Sequence, residues 1–388
     1  MTIPVRGFLM LMAVLAIMSL AGCGHYDCNS GATFGSSSCT PSGSGLGGGG
    51  SASGVAFAYL LGDGTMVADQ LDLGTNTFQE DTTFVVPPVS PTGAATGGTV
   101  VVSKGTQKYL YVPFNDGKLY GYAIDGGTGA LTVVVTAIAA SGGNSIASDP
   151  AGNFLFVSDS TTDQISAFAI NADGTLTAAL NSPFPSTISA GQMTTDGSGK
   201  YLYATAGPPN GGLQIATFTI GSGGTLSAAA VTNPGFTVLK LLGENTGTYL
   251  FGIDGQTANL YVFTLNVGVP VPPTAPFFAT QAVPVDIVVP PSGKFVYTFD
   301  GSLAPMEGYQ IQSGGALQAV AGSPFTGVDL VEGQFEQTGL FLFGVGAGAG
   351  STFGPYDVSS TGAVTVSTFP SLGFLGGSFA VTDLDNAP

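Results

Sequence analysis

The sequence predicts an all-β fold: a seven-bladed β-propeller, a ring of four-stranded sheets closed by pairing of the C-terminal strand with the first blade. Three observations carry this expectation. A short aromatic triplet recurs at intervals of 45 to 48 residues, the length of one propeller blade. The composition holds 61 Gly and 24 Pro in 388 residues against 8% charged residues, which favours strands and tight turns over amphipathic helices. Finally, the segment Ser378-Phe379-Ala380-Val381-Thr382-Asp383 has the form of a strand but belongs to no repeat, while the first repeat lacks one strand.

The N-terminal part stands outside the repeats. Residues 1–22 read as a signal segment, because Met1 to Arg6 carry one positive charge and Phe8 to Leu20 form an apolar run too short to span a bilayer comfortably. The following Leu20-Ala21-Gly22-Cys23 resembles a bacterial lipobox. That resemblance implies thioether lipidation of Cys23, cleavage before it and palmitate-type acylation of the new N-terminus, giving a lipoprotein anchored by acyl chains. Gly24, a non-Asp residue after the modified Cys, implies passage to the outer membrane of a bacterial cell envelope. Residues 23–54, rich in Ser, Gly and Thr and ending in Gly47-Gly48-Gly49-Gly50-Ser51, read as a flexible tether. Within it, Cys28 and Cys39 suit a local disulfide in an oxidising compartment, and with His25 they offer an incomplete metal-ligand set as the alternative.

Residues 55–388 hold the propeller. The triplets are Tyr109-Leu110-Tyr111, Phe154-Leu155-Phe156, Tyr201-Leu202-Tyr203, Tyr249-Leu250-Phe251, Phe295-Val296-Tyr297 and Phe341-Leu342-Phe343, with Phe57-Ala58-Tyr59 in the first unit. Each is followed by an aromatic-x-aliphatic pair on one strand face: Tyr122/Ile124, Phe168/Ile170, Phe218/Ile220, Phe263/Leu265, Tyr309/Ile311 and Tyr356/Val358, with Leu71/Leu73 in the first unit. Gly-containing turns such as Asp173-Gly174-Thr175-Leu176 punctuate the hairpins. A second set of turns precedes the triplets, as in Asp149-Pro150-Ala151-Gly152, Asp196-Gly197-Ser198-Gly199, Glu244-Asn245-Thr246-Gly247 and Glu336-Gln337-Thr338-Gly339. The acids there read as turn residues that bind nearby backbone N–H groups, not as catalysts. Triplets apolar on both faces fit blades that are covered on either side, and closure of the ring removes exposed edges.

The succession of turn, aromatic strand and a strand ending in an Ile-Asp-x-x-Thr-Gly-x-Leu pattern, as at Ile124-Asp125 to Leu131, resembles the lactonase-like seven-bladed propellers that include 6-phosphogluconolactonase and the Tyr-Val-Thr-Asn repeat propellers. The resemblance spans about Val55 to Asn386 and implies the fold. The repeat wording departs from the family at Tyr111-Val112-Pro113-Phe114 and Phe156-Val157-Ser158-Asp159. The resemblance also implies His, Arg and Glu at the channel mouth, and this domain has neither His nor Arg.

Aligning the innermost strands on the turn that follows them places Val100, Ser145, Gln192, Lys240, Asp286, Glu332 and Phe379 at one position around the ring. Gln192, Lys240, Asp286 and Glu332 then form a polar arc on four consecutive blades. Such an arc can bind a sugar-like ligand or polarise a carbonyl, and it can equally serve as the polar lining of a wet channel with Lys240 neutralised by its neighbours.

Charge and composition exclude several functions. The formal charge is −17, and the one Arg is Arg6, so the propeller lacks the basic stripe that nucleic acid requires. It has no Cys nucleophile and no His for a Ser-His-Asp triad. The Gly-rich run Gly344 to Gly350 matches neither phosphate-binding fingerprint. No cofactor or metal site is read from the motifs, although Asp and Asn oxygens suit calcium. The reading that follows is a lipid-anchored, non-catalytic binding module for an envelope protein or glycan, expected to be monomeric. Its alternative is a lactonase-like hydrolase in which Asp286 or Glu332 acts as base and Lys240 as electrophile.

Overall fold

The computed structural model describes residues 54–61, 66–81, 98–114, 117–139, 145–206, 212–273, 278–300, 304–347, 352–373 and 378–382. The signal segment, Cys23, His25, Cys28 and Cys39 lie outside them. Seven antiparallel sheets of four or five strands follow one another along the chain. Their innermost strands are Ser378–Val381, Val100–Lys104, Ser145–Ser148, Ala190–Thr195, Val238–Gly243, Pro284–Val288 and Leu330–Phe335 for blades 1 to 7. Each innermost strand touches the next around the circle, the seventh touching the first. This is the closed seven-bladed propeller that the repeats predict.

The triplets form the second strand of each blade, and their alternation explains the stacking. In Tyr109-Leu110-Tyr111 both tyrosines pack forward into blade 3, beside Leu155 and Phe168, whereas Leu110 packs back against Tyr59 and Met66 of blade 1. The same division holds in every blade, giving seven apolar layers, one per blade interface. Full burial of one such side chain contributes roughly 1.5–3 kcal/mol.

The hairpin glycines answer to these aromatics. Gly174, in the outer hairpin of blade 3, has a φ of +77°, and a Cβ there would stand 2.2 Å from the Tyr109 ring. Gly362 in blade 7 meets Phe295 in the same way, with a φ of +85°. Both backbone conformation and space therefore require glycine. The third triplet residue adds a polar stitch: the hydroxyls of Tyr59, Tyr111, Tyr203 and Tyr297 donate to the carbonyls of Gly129, Gly174, Gly268 and Gly362 in the next blade, each at 2.8 Å. Where the next hairpin instead contains a 3-10 turn, at Ser222–Gly224 and Ser313–Gly315, the triplet ends in Phe156 or Phe251.

Closure is made by Ser378–Val381, which pairs antiparallel with Val55–Leu61. Thr382 finishes the seam, its N–H donating to the Phe57 carbonyl at 2.8 Å and its hydroxyl accepting from the Phe57 N–H at 2.9 Å. The strand is also tied sideways, to blade 2 through the Thr99 hydroxyl on the Phe379 carbonyl and to blade 7 through the Val381 N–H on Gln334 Oε1.

Candidate functional site

The four polar positions of the arc share a backbone device. In blades 4 to 7 the innermost strand shifts register just before the polar residue, between Ala190 and Gln192, Val238 and Lys240, Pro284 and Asp286, and Leu330 and Glu332. A bulge inserts one unpaired residue and re-aims the side chain that follows. The alignment made on sequence corresponds to one structural position in blades 3 to 7, where Ser145, Gln192, Lys240, Asp286 and Glu332 each lie opposite the residue four places after the start of the triplet. It fails in the other two blades. Val100 lies opposite Tyr111, two places too far along its strand, and Phe379 lies opposite Leu60, so that Ser378, opposite Leu61, holds the position in blade 1. A one-residue slip turns the side chain to the other face.

The side chains run along the ring from blade to blade. Gln192 is buried, and its amide spans to the next inner strand, Oε1 accepting from the Leu241 N–H at 3.0 Å and Nε2 donating to the Leu241 carbonyl at 3.1 Å. Ser145 does the same on a smaller scale, its hydroxyl accepting from the Met193 N–H at 3.1 Å. Lys240 Nζ reaches across to the Asp286 carboxylate in an ion pair in which both side chains are buried. Asp286 Oδ1 also accepts from the Ile287 N–H at 2.6 Å, while Oδ2 is buried without a hydrogen-bond partner. Burial raises the Asp286 carboxyl above the ordinary carboxylate range, against the pull of Lys240.

Glu332 differs from the other three. It is half-buried, not enclosed, and makes no hydrogen bond within the described residues. Burial by the surrounding blades, with the Asp286 charge beside it, pushes its carboxyl up to about 8 against the opposing effect of Lys240. The structure therefore brings Lys240, Asp286 and Glu332 into one electrostatic cluster, commits Gln192, Lys240 and Asp286 to inter-blade bonds, and leaves Glu332 half-buried with no hydrogen bond among the described residues. A carboxyl that ionises near neutrality is a competent proton acceptor and donor, and a neighbouring ammonium can steady developing negative charge.

The turn acids behave as predicted. Asp149 accepts from the N–H groups of Asn153 and Phe154 at 2.7 and 2.5 Å, Asp196 from Lys200 and Tyr201, and Glu244 from Thr246, Thr248 and Tyr249. Glu336 accepts from Thr338, Leu340 and Phe341. A second group of acids escaped the sequence reading. Asp300 and Glu307 are buried together in blade 6, and Asp69 is buried in blade 1. Burial, with Glu80 nearby, pushes Asp69 up to about 7, and burial with Glu307 nearby does the same for Asp300. Among the described residues no group of three or more His, Cys, Asp or Glu is placed to hold a metal ion.

No protein-family model matches the chain, and no curated protein does. Solved structures of the same architecture do. A proposed 6-phosphogluconolactonase from Bacteroides fragilis superposes with a TM-score of 0.63 at 16% identity, over 84% of this chain and 98% of its own. The periplasmic gluconolactonase of Pseudomonas aeruginosa gives 0.63 at 14% identity, over 86% and 100%. A protein from Lactobacillus plantarum gives 0.61 at 14% identity, over 85% and 99%. The resemblance to lactonase-like propellers carried by the repeats is thus matched in three dimensions, at the level of fold.

Proposed function

We propose that the protein is a lipid-anchored envelope hydrolase that opens a neutral sugar lactone, with Glu332 as its acid–base group. The observation that carries this reading is the state of Glu332: half-buried, free of hydrogen bonds within the described residues, and pushed up to about 8 beside a buried ammonium. The likeness in fold to a gluconolactonase supports it. A neutral substrate suits a chain of net charge −17 with no Arg in the propeller, since such a field repels anions.

In this reaction the Glu332 carboxylate takes a proton from water as the water oxygen attacks the lactone carbonyl carbon, and the carbonyl π pair moves onto oxygen. Lys240, held by Asp286, steadies that oxyanion. Collapse re-forms the carbonyl and breaks the bond to the ring oxygen, which takes the proton back from Glu332. One water is consumed, one hydroxy acid is formed, and Glu332 ends as it began.

A second reading, the non-catalytic binding module, draws on the commitment of Gln192, Lys240 and Asp286 to neighbouring blades. Hydrolysis by the full chain in detergent separates the two, measured on glucono-δ-lactone and 6-phosphogluconolactone against spontaneous opening. The hydrolase reading expects turnover of the neutral lactone, kcat/KM rising with pH through about 8, and a loss of at least ~100-fold in Glu332→Gln. Absence of turnover by a folded protein, or an unchanged Glu332→Gln, leaves the binding module.

A further inference from the structure

We infer a divalent-cation site of calcium type between blades 5 and 6, held by Asp300, Glu307 and Thr298, independent of the lactone chemistry. Along Phe295–Asp300 the side chains alternate: Phe295, Tyr297 and Phe299 pack toward blade 7, and Val296 packs toward blade 5. Thr298 and Asp300 share the parity of Val296 and so face blade 5. Glu307 lies directly opposite Thr298 in the adjacent strand, and Tyr309 opposite Val296. Two carboxylates and a hydroxyl therefore meet at one end of an otherwise apolar interface.

Their bonding is incomplete. Asp300 is fully buried and neither of its oxygens has a hydrogen-bond partner of good geometry, although the Ala282 backbone stands nearby. The Thr298 hydroxyl, also fully buried, has no partner. Glu307 accepts from the Gln281 N–H at 3.0 Å and from the Tyr309 hydroxyl. Neither carboxylate is ion-paired within the described residues. Equivalent positions in other blades show what a merely structural acid does there: Asp159 binds the N–H and hydroxyl of Thr162, and Asp254 binds the Gln256 N–H and the Thr257 hydroxyl. Asp300 has kept the acid, and both of its oxygens are without a hydrogen-bond partner.

Two buried, unneutralised carboxylates are strongly unfavourable unless protonated or bound to a cation. Two carboxylates supply up to four oxygens and Thr298 a fifth, a hard-oxygen set that suits calcium once water adds to it, and a divalent charge cancels theirs.

The test uses the full chain, stripped with EDTA and titrated with CaCl2 and, separately, TbCl3. The chain has no Trp, and the Tyr309 hydroxyl on Glu307 places a sensitiser beside the ion. Expected are a saturable rise in melting temperature with calcium and tyrosine-sensitised terbium emission displaced by calcium. Asp300→Asn, and independently Glu307→Gln, should abolish the calcium shift while melting no lower than the calcium-free parent. A parent indifferent to calcium, or an Asp300→Asn protein that keeps the full response, overturns the site.

Discussion

The acids of the blade-opening turns and the acids at Glu332 and Asp300 are the same chemical groups, handled in opposite ways. Glu336 is saturated by three backbone N–H groups and the Thr338 hydroxyl. Four residues earlier, Glu332 has no such bonds and ionises near 8. Asp159 and Asp300 repeat the contrast at the end of a second strand. Residue type alone thus does not distinguish these two groups of acids. What separates them is whether backbone donors have already claimed the oxygens.

The largest expected effect that sharpens this contrast is at Lys240. Lys240→Ala leaves Asp286 buried without its cation and should destabilise by about 3–5 kcal/mol in urea unfolding. The double change Lys240→Met with Asp286→Leu should recover most of that loss, because both charges leave together. Lys240→Ala is therefore a poor control for catalysis, and Glu332→Gln is the informative one. Next, Glu336→Ala strands several amide donors of its turn and should cost about 1–3 kcal/mol, whereas calcium-free Asp300→Asn should cost nothing. Equal losses in the two variants would break the contrast.

A smaller effect concerns pH. Asp69 and Asp300 are raised from the ordinary carboxylate range to about 7, chiefly by burial. Below about pH 4 both folded and unfolded chains hold these protons. Between about 4 and 7 the folded chain keeps protons that the unfolded chain has released, so stability in calcium-free buffer should fall as pH rises, then level off above 7. Asp69→Asn should flatten that slope, as read from melting temperature across the window. Smallest is Tyr203→Phe, which removes the hydroxyl on the Gly268 carbonyl and should cost about 1 kcal/mol.

Most of the fold was legible because each blade repeats the same physical demand. An aromatic packs forward, an aliphatic packs back, and a glycine sits where the next aromatic leaves no room, so the triplets and hairpin turns mark the strands on their own. The arc was legible as a position, since turn-based alignment brought Lys240, Asp286 and Glu332 to one level. Their directions were not, because a bulge at Val238 to Lys240 or Leu330 to Glu332 is a matter of pairing with a partner strand. The Asp300 and Glu307 pair went unread although a signal existed: Asp159 and Asp254 have Thr162 and Thr257 three residues on, whereas Asp300 is followed at that place by Leu303.

The seam at Ser378–Val381 bears on how the molecule is made. Its partner, Val55–Leu61, is synthesised more than three hundred residues earlier, and until the seam strand arrives blade 1 presents a raw strand edge capable of capturing foreign strands. The ring is completed across the longest sequence separation in its sheets, which makes closure a slow, late event. A nascent chain stalled before Ser378 is consequently a stack of blades with an open side.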